Sequence, residues 1–214
     1  MQFRLDLFPY EIIMTKLWGP LGWMTLHSVS LIYPENPSPA EKQIASRFLD
    51  LFADTISCNQ CKMHFKTIRL LYASSNPGYL NSRQEFALFG FRAHNTVNRR
   101  LDKPLQSTVA HCLQSLRNAT SQTSLANYRS SYLTYLSRNW AREFTAESLI
   151  ILGSVREMNK INNEYWSPRD SGIPDLAEAD VVTSIERDGV RISSDRLVST
   201  SIGFKGGRLK LGRN

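Results

Sequence analysis

The run Ser38-Pro39-Ala40-Glu41 leaves the chain few alternatives to starting a helix there. The serine hydroxyl can accept from the amide three residues on, and Glu41 can reach back to the serine amide. Proline at the first helical position gives up only an N–H that a helix start does not use. Ile44, Phe48, Leu51, Phe52 and Ile56 then recur at helical spacing. Similar punctuation divides the rest of the first half. Gly19-Pro20 places a proline where a first turn tolerates it, and Trp23, Leu26, His27 and Ser30 share a face until Tyr33-Pro34 ends the run. Ser57 is the expected cap of a third helix that opens at Cys58 and carries Phe65, Ile68 and Leu71. Asn76-Pro77-Gly78 reads as a turn. A second capping box, Ser82-Arg83-Gln84-Glu85, starts a fourth helix with Phe86, Phe89, Ala93, Val97 and Leu101 on its apolar side, and Pro104 breaks it.

A short fifth helix is expected over 107–116 and a polar linker over 118–124. Tyr128, Tyr132, Tyr135, Leu136 and Trp140 then fall at helical spacing, as do Leu149, Leu152, Val155, Met158 and Ile161. These two stretches predict a helical hairpin beside the first domain. After Trp166 the prolines, glycines and scattered β-branched residues predict an extended, irregular segment. Lys205, Arg208, Lys210 and Arg213 close it without an acid among them. No alternation of strands and helices suggests a parallel sheet, so the expected class is all-α. The domain expectation is an N-terminal arm (1–14), a principal domain (15–118), an accessory helical region (124–166) and a basic tail (167–214).

The 214 residues suffice for one domain and a substantial extension, and 42% hydrophobic with 21% charged residues is a globular balance. No apolar run approaches the length of a membrane span. Arg4, Asp6 and Glu11 interrupt the N-terminus, which argues against a secretory signal and for a cytoplasmic protein. A net charge of +7 suits an acidic partner, a nucleic acid or a membrane surface without choosing among them.

Three features carry chemistry. Cys58-Asn59-Gln60-Cys61 puts two thiols on a helix's first turn, where the dipole favours thiolate. Zinc sites use the same spacing, and His64 with Cys112 or His111 could complete one, so local spacing leaves redox and zinc equally open. His94, Asn95 and Asn98 form a polar stripe on an otherwise apolar helix, suited to the polar edge of a flat ligand or to capping. Trp23 and His27 lie one helical turn apart and would ordinarily be core.

Together these features resemble the Erv/ALR family of FAD-linked sulfhydryl oxidases. Trp18-Gly-Pro-Leu-Gly-Trp23-Met-Thr-Leu-His27 followed by Tyr33-Pro34 is similar to the family's opening. Cys58-x-x-Cys61-x-x-His64-Phe65 looks like its redox motif, and His94-Asn95-Thr-Val97-Asn98 through Lys103-Pro104 like its flavin motif. The likeness spans roughly residues 15–105. It implies a bundle of four helices plus a short fifth around non-covalent FAD, usually homodimeric. It implies cofactor contacts from Gly19, Trp23, His27, Tyr33, Cys61, His64, His94, Asn95, Val97, Asn98 and Lys103, with no metal. Cys58 would meet the thiols of client proteins, Cys61 would face the flavin, and O2 would leave as hydrogen peroxide.

The sequence also departs from that pattern. The only cysteines are 58, 61 and 112, so no shuttle pair is present and clients are expected to reach Cys58 directly. Cys112 lacks a partner on the fourth helix and is expected to be a buried free thiol. No Trp or Tyr lies between Pro104 and Ser121, where the family places an aromatic. The long extension resembles those of oxidases from large DNA viruses, which implies a host cytoplasm or virion setting and a particle or other acidic partner for the basic tail. The alternative function is a structural virion component on the same fold. The Asn118-Ala-Thr120 sequon is expected to be unused.

Overall fold

The computed structural model describes residues 9–106 and 125–172, with side chains for 18–106 and 125–170. The expected fifth helix, the polar linker, the state of Cys112 and the tail beyond 172 lie outside the described residues. The rest is all-α: α1 (Pro9–Leu31), α2 (Pro39–Thr55), α3 (Asn59–Ser75), α4 (Arg83–Arg100), α5 (Leu125–Trp140) and α6 (Ala146–Ile161). A π-helical turn (Asn162–Trp166) and a 3-10 segment (Ser167–Gly172) follow.

Helix α1 starts at Pro9, well before the start expected at Gly19-Pro20, and Pro20 lies inside it. Proline removes one backbone donor and disfavours helix at the preceding residue, but that is a bias that packing can override. Here packing is heavy. Every residue from Met24 to Tyr33 is buried, all round the helix, so α1 forms the centre of the bundle. Its hydroxyls are satisfied locally: Ser28 donates to the Thr25 carbonyl at 2.8 Å and Ser30 to the His27 carbonyl at 2.8 Å.

The capping box at Ser38 forms as the sequence predicts, with Pro39 beginning α2. Ser82 caps α4 through the Glu85 amide at 3.2 Å. At the far end Asp102 adopts φ 53°, and the Lys103 amide returns to the Asn98 carbonyl at 2.8 Å. A left-handed residue just past a helix end turns the chain sharply, and aspartate tolerates it better than most residues.

The hairpin α5–α6 shares the core of the first four helices. Tyr132, Leu133, Leu136, Trp140, Val155 and Met158 belong to the same buried cluster as Leu26, Phe52, Phe65 and Phe89. Helix α5 rides on α1 at Gly22, where an added Cβ would stand 3.4 Å from the Tyr132 ring. Gly22→Leu is therefore expected to force the helices apart at a cost of about 1–3 kcal/mol in urea unfolding.

Helix α6 buries Ile151, Val155 and Met158, but Leu149, expected on that face, is 66% exposed beside Ile150. The α-helix ends at Ile161. The widened turn that follows delivers Trp166 into the core against Phe48 (ring centroids 5.6 Å apart) and Tyr33 (6.4 Å).

Candidate active site

Cys58 is itself the N-cap of α3, one residue later than the expected cap at Ser57, and its sulfur accepts from the Cys61 amide at 3.2 Å. The two cysteines are joined as a disulfide with Cα atoms 5.1 Å apart, within the ordinary range for such bonds. Both are partly buried and pack against the core. Cys58 and Cys61 are comparably half-buried. Among the described residues no three Cys, His, Asp or Glu side chains converge on a point a metal could occupy.

One helical turn beyond Cys61, Phe65 meets the edge of Trp23 on α1 at 6.3 Å between ring centroids. Trp23 stacks on His94 of α4 with centroids 4.2 Å apart and planes within 10°. His94 Nδ1 lies 3.2 Å from His27 Nε2 across the helix pair. Three helices thus bring together Trp23, His27 and His94, with Phe65 joining them to the disulfide-bearing turn.

Burial sets the charge state of the histidines. It pushes His27 down to about 4. Burial, then the neighbouring His27 and the Lys103 charge, push His94 to about 2. Burial and the Arg100 charge also lower His64. Both members of the pair are neutral at pH 7, so one ring donates and the other accepts. In the unfolded chain they would titrate near 6.5, so stability is complete above that value and is lost as pH falls towards the folded values. Between pH 7 and pH 5 the expected loss is roughly 3–4 kcal/mol. Urea unfolding at the two pH values checks this, and His94→Asn is expected to reduce the slope.

Other members of the expected set have different settings. Asn95 pairs with Gln106, donating to its carbonyl and accepting from its amide, both at 2.9 Å. Asn98 donates to the Pro104 carbonyl at 3.3 Å. These amides fasten the loop after α4, the capping role the sequence also allowed. Tyr33 is fully buried, donates to the Leu80 carbonyl at 3.1 Å and packs edge-on to Phe86. Val97 is partly buried against the core, Lys103 is exposed at the end of α4, and Gly19 has open space around it.

Residue pattern does not mark the surroundings of Ser57. Its hydroxyl lies 3.5 Å from the Tyr135 hydroxyl and accepts from the Asn139 amide at 3.3 Å. Helical spacing placed Tyr135 on α5, but nothing marked Asn139.

A flat aromatic cofactor fits what these residues offer. Trp23 and His94 present parallel rings, and His64, one turn after Cys61, holds a buried Nδ1 with no hydrogen-bond partner. A buried polar atom left unpaired is costly unless a ligand satisfies it.

The Erv1 / Alr family model matches residues 21–129, which takes in every part of this cluster. The chain belongs to the Erv1 / Alr family. Among its relatives, a FAD-linked sulfhydryl oxidase of African swine fever virus is 33% identical over 90 residues, covering 42% of this chain and 72% of the viral protein. A putative FAD-linked sulfhydryl oxidase of Invertebrate iridescent virus 3 is 34% identical over 42% of this chain and 59% of its own length. The mitochondrial FAD-linked sulfhydryl oxidase of Saccharomyces cerevisiae is 35% identical over 40% of this chain and 43% of its own. The family match ends at Arg129, so most of α5 and all of α6 lie beyond it.

Proposed function

We propose that this Erv1 / Alr chain is a FAD-linked thiol oxidase that makes disulfides in client proteins, with O2 as the final acceptor and hydrogen peroxide as product. The observation that carries the reading is the Cys58–Cys61 disulfide on the first turn of α3, one turn from the Phe65–Trp23–His94 contact. Relatives named as oxidases support it over a purely structural role.

A client thiolate attacks Cys58 Sγ, the Cys58–Cys61 bond breaks, and the electron pair passes to Cys61 Sγ. A second client thiolate then attacks the client sulfur of the mixed disulfide and displaces Cys58. The client leaves oxidised, its two protons pass through solvent to the released sulfurs, and Cys58 and Cys61 remain as a dithiol. The Cys61 amide beside Cys58 Sγ and the start of α3 stabilise the thiolate on departure. FAD, when bound, supplies the two-electron acceptor that restores the disulfide. Trp23, His27, His64 and His94 would hold it, with Lys103 contributing positive charge at the end of α4. Neutral His27 and His94 keep a second charge out of that dry interior.

The test uses the full chain. Purified protein is expected to show flavin absorbance, consume oxygen on addition of dithiothreitol, and return part of that oxygen when catalase is added. A folded, colourless protein that consumes no oxygen would sink the reading. Sedimentation checks the homodimer that the family resemblance implies. No described helix is long and apolar enough to cross a membrane.

A further inference from the structure

Helix α5, most of it beyond the family match, grips the loop that leads into the redox cysteines. Trp140 donates its indole N–H to the Thr55 carbonyl at 3.0 Å, and that nitrogen is buried. Asn139 donates to Ser57 Oγ at 3.3 Å, Ser57 Oγ lies 3.5 Å from the Tyr135 hydroxyl, and Tyr135 donates to Asn139 Oδ1 at 3.5 Å. If Ser57 donates to Tyr135, the three side chains close a cycle in which each gives and accepts one hydrogen bond. Lys62, the residue after Cys61, lies over the Trp140 ring at 5.7 Å. Thr55 is also touched from α6, its hydroxyl 3.9 Å from Met158 Sδ.

We propose that Asn139, Tyr135 and Trp140 are positioning residues for Cys58, holding the Thr55–Ser57 loop so that Cys58 keeps its place as the N-cap of α3 when the disulfide is reduced. This rests on the reading of Cys58–Cys61 as the exchanging pair. Each cycle of that chemistry breaks the bond tying Cys58 to the first turn of α3. A terminus held only by that bond would fray on reduction, because short side-chain caps are weak and helix ends open readily. Once Cys58 Sγ leaves the Cys61 amide, its thiolate loses the hydrogen bond and dipole that favour it. The α5 contacts reach Thr55 and Ser57 rather than either sulfur, so they persist in both redox states. They give the extension a part in the chemistry without a residue touching the client.

The reduced full-length protein tests this by alkylation with iodoacetamide across pH, the Cys58 product being resolved from Cys61 by fragment mass. Tyr135 on α5, Lys62 and His64 on α3, and the Asp54–Lys66 pair joining α2 to α3 are the titratable groups around this turn. Asn139→Leu and Ser57→Ala leave all of them in place. Each variant is expected to move the alkylation midpoint of Cys58 upward by about half a pH unit, a roughly threefold slower reaction below the midpoint. The double variant is expected to shift little further, because both changes open the same cycle. If Asn139→Leu misfolds, Ser57→Ala alone carries the test. Midpoints equal to wild type would overturn the proposal, as would a double variant with the full sum of two shifts. Alkylation needs neither flavin nor client, so failure here is distinct from failure of the oxidase reading.

Discussion

Cys58→Ser is expected to lower dithiothreitol-driven oxygen consumption by roughly 10³-fold or more while leaving the fold intact, since no other group can take the attack of the client thiolate. The usual ambiguity of such a variant is small here. Cys58 caps α3 by accepting from the Cys61 amide, and a serine oxygen is among the best acceptors for that position. The melting temperature is therefore expected to stay within a few degrees of wild type. Cys61→Ser also stops turnover, but it leaves Cys58 free to exchange. Incubation with an oxidised small disulfide is then expected to trap a mixed disulfide on Cys61→Ser that Cys58→Ser does not form. Retention of more than about a tenth of the rate by Cys58→Ser would mean that clients enter elsewhere.

The Cys58–Cys61 spacing was legible in the sequence, but it left redox and zinc equally open until it was read with the Trp23/His27 and His94–Lys103 motifs. The α2 cap was legible because it is local: Ser38 and Glu41 bond each other. What was hidden depends on partners distant in sequence. Residue pattern does not reveal that Asn95 and Asn98 bond the backbone of Gln106 and Pro104. The four apolar residues Leu149-Ile150-Ile151-Leu152 gave no phase of their own. Packing chose the phase that buries Ile151, Val155 and Met158, and it left Leu149 outside. Local rules place Pro20 at a helix start, whereas the burial of α1 that carries the helix through it is tertiary. The contacts of Ser57 span 78 and 82 residues, too far for any local pattern.

Arg129→Ala is expected to cost about 3–5 kcal/mol, the range for removing one partner of a buried ion pair. The guanidinium is 1% exposed, so its charge must be met inside the protein. It donates through Nε to Asn162 Oδ1 at 2.8 Å and through Nη1 to Ser28 Oγ at 3.3 Å, and it pairs through Nη2 with the Asp170 carboxylate. One side chain on α5 thereby joins the π-helical turn and the 3-10 segment to α1, at the residue next to His27. A second tie joins the same stretch to the start of α2, where Glu41 Oε1 accepts from Tyr165 at 3.2 Å and from Arg169 at 2.9 Å. The Ser38 amide leads the contacts that hold the Glu41 carboxyl below its ordinary range, so this tie is charged at neutral pH. Asp170→Ala is expected to be nearly as damaging as Arg129→Ala, because it strands the cation. Arg129→Met with Asp170→Leu removes both charges and retains bulk, and it is expected to recover more than half of the loss. Urea unfolding of the four proteins separates these effects. If the extension merely rested on the bundle, Arg129→Ala would cost under about 1 kcal/mol, as an exposed pair does.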